Sequence, residues 1–239
     1  MRAESAADHR LFPHPFSSGY WKCAAGELKS LRVLVVAALI TALRIAIKSV
    51  KIPILPGLNI TFGFLFNATG SLIYGPIVAI LTSAISDTLG AILFPSGVYF
   101  VPFIFEEIAG GVLFALFYYR ARLSVFRVAL GRFAVTVLVN LMLSPFIQIF
   151  YYQYVLGKSY AFLSLPRMIK NAALFPVQTL ILVLLFKALI PLTNRPGLTH
   201  TGTTRLTIQK KDVITLIVLT LISAGAIALY ALYQAGGGK

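Results

Sequence analysis

The sequence predicts an all-α integral membrane protein, a bundle of six transmembrane helices followed by an additional C-terminal one. Three observations carry that expectation. Hydrophobic residues make up 58% of the 239 and charged residues only 12%, where a soluble domain carries about 25% charged residues. The apolar residues gather into runs of spanning length, joined by short connections. The Lys and Arg residues, which give a net charge of +14, lie mostly between those runs, where membrane topology uses them. No basic face or stacking platform appears, so nucleic-acid binding is not expected.

Residues 1–30 read as a polar, partly aromatic tail with no apolar core of the signal-peptide kind. Cys23, the single cysteine, lies in it and leaves no disulfide framework. Spans are expected at 31–50, 58–74, 76–93, 101–119, 133–155 and 166–190, making one membrane domain over 31–190. Breaks separate them at 51–57, 94–100 and 157–165, and Gly75-Pro76 makes a tight turn with Pro76 at a first helical position. Arg120, Arg122, Arg127 and Arg132 are assigned to a basic loop before the fifth span. A polar linker, 191–212, leads to a terminal segment, 213–239, whose apolar run of 21 residues at 213–233 is long enough to cross. A cytoplasmic N-terminus places 14 Lys and Arg on the inner side against five outside, which the positive-inside rule favours.

Charges inside spans are costly and therefore functional candidates. Arg44 lies in the first span, Asp87 in the third, and Glu106 and Glu107 near the outer part of the fourth. They make either an ion-pair network that fixes helix packing or a polar site opening outward. Asn140, Ser144, Gln148 and Tyr151 recur at helical spacing on the fifth span, and Arg167, Asn171 and Gln178 on the sixth. Amides at such depth seek partners inside the bundle. On the first span, Ala38, Ala42 and Ala46 form a small-residue ridge. At about 100° per residue, Arg44 projects about 160° away from Ala42 and Ala46, with Thr41 and Lys48 beside it. One face suits a partner helix and the other a pocket.

Other motifs fail. Gly157-Lys158-Ser159 ends like a phosphate loop but has Tyr152 where a glycine is required. The sequons at Asn59 and Asn67 begin or lie in an apolar span, and Asn67 is counted instead among the candidate binding residues. His9, His14 and His200 offer no metal spacing. No nucleophile–base pair stands out, and no enzyme activity or cofactor is expected.

The segment from Glu27 through Arg44-Ile-Ala46 resembles the opening helix of the substrate-binding subunits, or S-components, of energy-coupling factor (ECF) transporters. Lys48-Ser49, Ile60-Thr-Phe-Gly-Phe64, Tyr74-Gly-Pro76, Asp87-Thr-Leu-Gly90 and Leu93-Phe-Pro-Ser-Gly-Val-Tyr-Phe100 are similar to the folate-type branch. The resemblance is dense over 27–120 and looser to 190. It implies a six-helix subunit that captures a vitamin from outside. It implies docking through the alanine ridge onto a transmembrane coupling subunit driven by two ATPase subunits, which alone use ATP. The loops 51–57 and 94–100 would act as a lid. Two departures stand out: Pro102-Phe-Ile-Phe-Glu-Glu107 replaces the Gly-Phe-Thr-Leu-Ser common after the lid, and the seventh apolar run is additional.

Folate is the vitamin this branch implies. Its pterin edge presents a guanidine-like donor pair that a carboxylate accepts bidentately. Glu106 or Glu107 would serve, and because they differ by about 100° in direction, one of the two is expected to face the site. Tyr99, Phe100 and Phe103 offer ring faces, and Arg44, Lys48, Arg167 and Lys170 offer cations for the glutamate tail. Asp87, Asn67, Asn140, Gln148 and Asn171 complete the candidate set. The alternatives are another vitamin, a queuosine-type precursor, or a non-transport membrane scaffold.

Overall fold

The computed structural model of the chain describes residues 11–12, 14–48, 50–55, 58–95, 98–162, 164–193, 206, 208 and 210–235. A short helix α1, Ser18–Gly26, is capped by Ser17, whose hydroxyl accepts from Tyr20 N. A 3₁₀ turn, Glu27–Lys29, follows. Ser30 then caps α2, Leu31–Ile47, which leaves the first segment at an angle of 83°. Serine suits this position because its side chain satisfies one of the amide groups a helix start leaves unbonded.

Strands β1, Lys51–Leu55, and β2, Leu58–Thr61, pair antiparallel with Ile52 opposite Ile60. This hairpin corrects the expectation of a second span starting at residue 58. The run 58–61 is apolar enough for a span, but it pairs with β1 and the helix begins only at Gly63.

The helical stretch Gly63–Leu93 breaks at Gly75, whose φ of 74° and ψ of −175° are far from helical. A Cβ added to Gly111 would lie 2.8 Å from Ser83 Oγ and 3.0 Å from Asn67 Oδ1. Residues 67 and 83 would stand about 24 Å apart along a straight helix. The chain therefore doubles back at Gly75-Pro76, and the stretch is two antiparallel helices, α3 (63–74) and α4 (76–93). Gly75 alone supplies the positive φ without steric cost, and Pro76 starts α4 as the sequence predicts. Tyr119 packs its ring over the turn, 3.0 Å from where a Cβ at Gly75 would stand.

Helix α5, Phe103–Tyr118, presents Gly110 and Gly111 to this hairpin, and Ser71 donates to the Gly111 carbonyl at 2.8 Å. Helix α6, Val125–Val155, starts at the Ser124 cap, eight residues ahead of the predicted fifth span. The four-arginine segment is therefore not all loop: Arg127 and Arg132 belong to α6, and Arg132 is buried. The helix widens into π turns at Val135–Leu143 and Tyr151–Val155. Pro145, just after the first, has no N–H to donate and its ring crowds the preceding turn, which the wider coil accommodates.

Helix α7, Leu165–Thr193, and helix α8, Lys210–Ala235, complete the chain and pack against each other. The core joins α3, α5, α6 and α7 through Leu72, Phe114, Tyr118, Val128, Leu182 and Phe186, with Leu206 sealing one end. Tyr118 resolves its buried hydroxyl by donating to the Val128 carbonyl at 2.8 Å. Several apolar helices, among them α6 and α7, are long and apolar enough to cross a bilayer.

Candidate functional site

A cavity of about 930 Å³ opens among α2, α3, α5, α6 and α7. A smaller one of about 330 Å³ adjoins it, sharing Lys48, Phe94, Glu106 and Glu107. The larger is lined by eight of the predicted site residues: Arg44, Lys48, Asn67, Glu106, Glu107, Asn140, Arg167 and Asn171. Asp87, Tyr99, Phe100 and Phe103 line the smaller. Gln148 lines neither, but its amide oxygen accepts from Arg167 Nη2 at 2.7 Å. Residues dispersed over six helices and a loop thus converge.

The ion pairs tie α2 to the bundle. Arg44, only 6% exposed, donates to Ser83 Oγ at 3.2 Å and pairs with Glu107 on α5. One turn on, Lys48 reaches Asp87 Oδ1 on α4 at 2.9 Å. Its stem crosses Gly90, where a Cβ would stand 2.8 Å from Lys48 Cδ. The ion pairs bind helices together, and the same groups line the cavities.

The amide stripes meet as well. Asn140 Nδ2 donates to Asn171 Oδ1 at 3.1 Å, and Asn171 Nδ2 to the Arg167 carbonyl at 2.9 Å. Gln148 Nε2 donates to Ser144 Oγ at 3.1 Å. Arg167 also bonds Tyr160 and lies over its ring, 5.4 Å from the centroid. Burial outweighs that arginine and pushes the Tyr160 hydroxyl above its ordinary range.

Sequence reasoning missed Arg132. Its guanidinium bonds Gln178, lies over Phe64 with 5.1 Å to the ring centroid, and lines the larger cavity. The signal was present: the stripe Gln148, Ser144, Asn140, followed back in steps of four, reaches Thr136 and then Arg132. Gln178, Ser144, Phe64 and Phe114 also line the cavity outside the candidate set.

Four buried side-chain atoms have no hydrogen-bond partner among the described residues: Asp87 Oδ2, Glu106 Oε1, Arg132 Nε and Arg167 Nη1. All four residues line one or other cavity. Buried polar groups are otherwise satisfied in folded proteins, so their concentration here makes these cavities the candidate ligand site. Counted over both cavities, five cations (Arg44, Lys48, Arg132, Arg167, Lys170) face three carboxylates (Asp87, Glu106, Glu107). Beside them, Phe100, Phe103 and Tyr151 hold their ring centroids 5.4 to 5.7 Å apart. Tyr99 tethers the loop before α5 to α4 through a 3.2 Å hydrogen bond with Thr88.

The sequence model of the ECF-type riboflavin transporter S component matches residues 28–190, which hold α2 to α7 and both cavities except for the last residues of α7. The chain is an ECF-type S component. Such a component is a substrate-binding part of a transporter in the cell membrane, not an enzyme, and the multi-pass apolar helices agree with it. This S component is 32% identical over 158 residues to the folate transporter FolT of Clostridium novyi, covering 65% of the present chain and 88% of the relative. It is 29% identical over 123 residues to FolT of Leuconostoc mesenteroides, covering 51% and 66% of the two chains. A crystal structure of FolT bound with folic acid superposes with a TM-score of 0.54 at 26% identity, over 63% of this chain and 89% of that one. Helix α8 lies beyond the residues matched by the family model.

The ridge Ala38, Ala42 and Ala46 is exposed, as are Leu31, Val35, Leu39 and Leu43 on the same side of α2. The cavity-facing Arg44 lies on the opposite side, the separation the sequence predicts.

Proposed function

We propose that this S component captures folate or a related pterin from outside the cell and delivers it through an ECF importer. The observation that carries the reading is the charge balance of the site: five cations against three carboxylates, an excess that suits a ligand with two carboxylates. Folate has two on its glutamate tail. Riboflavin, named by the family model, is uncharged and brings no carboxylate to the guanidinium atoms of Arg132 and Arg167 that stay unbonded inside the bundle, where uncompensated charge is costly.

The two glutamates divide the work. Glu107 holds Arg44, while Glu106 keeps an unpartnered oxygen for the pterin donor pair. Phe100, Phe103 and Tyr99 cover the ring, and Lys48, Arg167, Lys170 and Arg132 receive the tail. Asn67, Asn140 and Asn171 supply neutral hydrogen bonds, and Gln148 and Asp87 position Arg167 and Lys48.

Six helices, α2 to α7, form the capturing unit, with the N-terminus cytoplasmic, the β-hairpin and the 94–100 loop outside, and α8 as a seventh span. The exposed ridge Ala38, Ala42 and Ala46 docks onto the transmembrane coupling subunit, which works with two ATPase subunits. The test is calorimetric titration of the detergent-solubilised chain with folate and, separately, riboflavin. Saturable binding of folate but not riboflavin is expected. Binding of riboflavin without folate overturns the charge argument.

A further inference from the structure

The N-terminal segment before α2 takes no part in the cavities, yet it is fixed firmly. Tyr20, 1% exposed, donates to the Ala115 carbonyl at 2.8 Å. Glu27 accepts from Tyr119 at 2.7 Å and from Arg120 at 3.1 Å, and Phe12 N donates to the Arg120 carbonyl at 2.9 Å. These contacts lie on one stripe: at about 100° per residue, Tyr20, Ala24 and Glu27 fall within about 60° of one another.

The rest of the segment looks away from the protein. Lys22 and Lys29 fall about 180° to 200° from Tyr20, and Trp21 and Leu28 about 80° to 100° from it; all four are exposed. Phe16, just ahead of the cap, is 86% exposed. With α2 as the first span of the capturing unit proposed above, a segment inclined to it by 83° runs along the membrane surface. Trp and other aromatic residues favour that level, and an amphipathic helix lying there turns apolar residues to the acyl chains and cations to the headgroups.

Among the described residues, no acid neutralises these lysines. Glu27 is taken by Arg120, Glu107 by Arg44 and Asp87 by Lys48. Neither Lys22 nor Lys29 has an ion-pair partner among the described residues. Arg32, in the first turn of α2, is exposed too.

We propose that the face bearing Trp21, Leu28, Lys22 and Lys29 is a contact site for anionic phospholipid headgroups. Its charge selects the headgroup, its aromatic and aliphatic side chains rest at the acyl boundary, and the Tyr20 and Glu27 bonds hold it at that level. The site is independent of which vitamin the cavities take.

Trp21 is the sole tryptophan of the chain and reports on the face directly. The full chain is reconstituted into phosphatidylcholine vesicles, and Trp21 emission is quenched with equal mole fractions of brominated phosphatidylglycerol or brominated phosphatidylcholine. Both should quench, the anionic lipid with a relative association constant of about five, corresponding to about 1 kcal/mol for one lysine near the surface. That preference should fall to about one in 1 M salt, where the Debye length is about 3 Å. It should fall likewise in the Lys22→Gln/Lys29→Gln double variant, with the thermal unfolding midpoint checked as unchanged. Equal quenching by both lipids for the unsubstituted chain at low salt overturns the headgroup preference. Absence of quenching by either overturns the site itself, because the face then lies in water or under another protein.

Discussion

Replacing Glu106 by glutamine tests the division of labour between the adjacent acids. Glu106 Oε1 is buried without a partner among the described residues, so its desolvation is already incurred and a ligand N–H restores a bond at little further cost. A hydrogen bond to a charged group contributes about 1.5–3 kcal/mol, which is about 10- to 150-fold in affinity. Glutamine keeps one acceptor but presents an NH₂ where the pterin also donates, so the full loss is expected. Glu107→Gln acts differently: it strips the carboxylate from Arg44, which is 6% exposed and retains Ser83. Losing one partner of a buried pair leaves the other charge uncompensated, so this variant should lose thermal stability first. The assay is folate titration by calorimetry alongside thermal unfolding in the same detergent. A Glu106→Gln protein that folds normally and binds folate within about two-fold of the parent refutes the assignment. Equal losses of affinity in both variants with intact stability refute the division between them.

Three further outcomes are expected. Ala42→Trp on the exposed ridge should abolish assembly with the coupling and ATPase subunits, seen by co-purification, while folate affinity of the isolated subunit stays unchanged; normal assembly removes the ridge from the interface. In a Cys23→Ser background, a cysteine replacing Gln234 should react with an impermeant thiol reagent added outside intact cells, as the proposed seventh span requires; labelling only after permeabilisation means that α8 does not cross. Arg120 holds a φ of 48°, unfavourable for a residue with a Cβ by about 1–2 kcal/mol. Arg120→Ala should therefore unfold at a lower temperature than Arg120→Gly, since both lose the Glu27 bonds but only glycine relieves the backbone; the reverse order refutes the strain.

Much of this was legible in local chemistry. Gly75-Pro76 announced its turn because a positive φ and a proline start are properties of those two residues. The two faces of α2 followed from angular spacing alone, and the exposed alanines and buried Arg44 conform to it. The β-hairpin was not legible, since Leu58 to Thr61 reads equally as the start of an apolar helix and only the pairing with Lys51–Leu55 decides. The partners of Arg44 and Lys48 lie 63 and 39 residues away, distances at which helix packing, not pattern, chooses the neighbour. Arg132 was hidden by a rule correctly applied: cations near a predicted inner loop are assigned to topology, although the steps of four leading to it pointed inward.

The π turns of α6 carry a consequence for how such a site changes by insertion and deletion. A π turn holds about one residue more than an α turn. The segment Val135–Leu143 therefore uncouples the angular phase of Arg132, on its inner side, from that of Ser144 and Gln148, on its outer side. Deleting a single residue from it would let the coil close to an ordinary α-helix with both flanks still seated in the bundle, yet would re-phase the lining between them by about 100°. Asn140 would then leave its contact with Asn171. A one-residue length change here would alter which ligand groups are satisfied without a single substitution at a cavity-lining position.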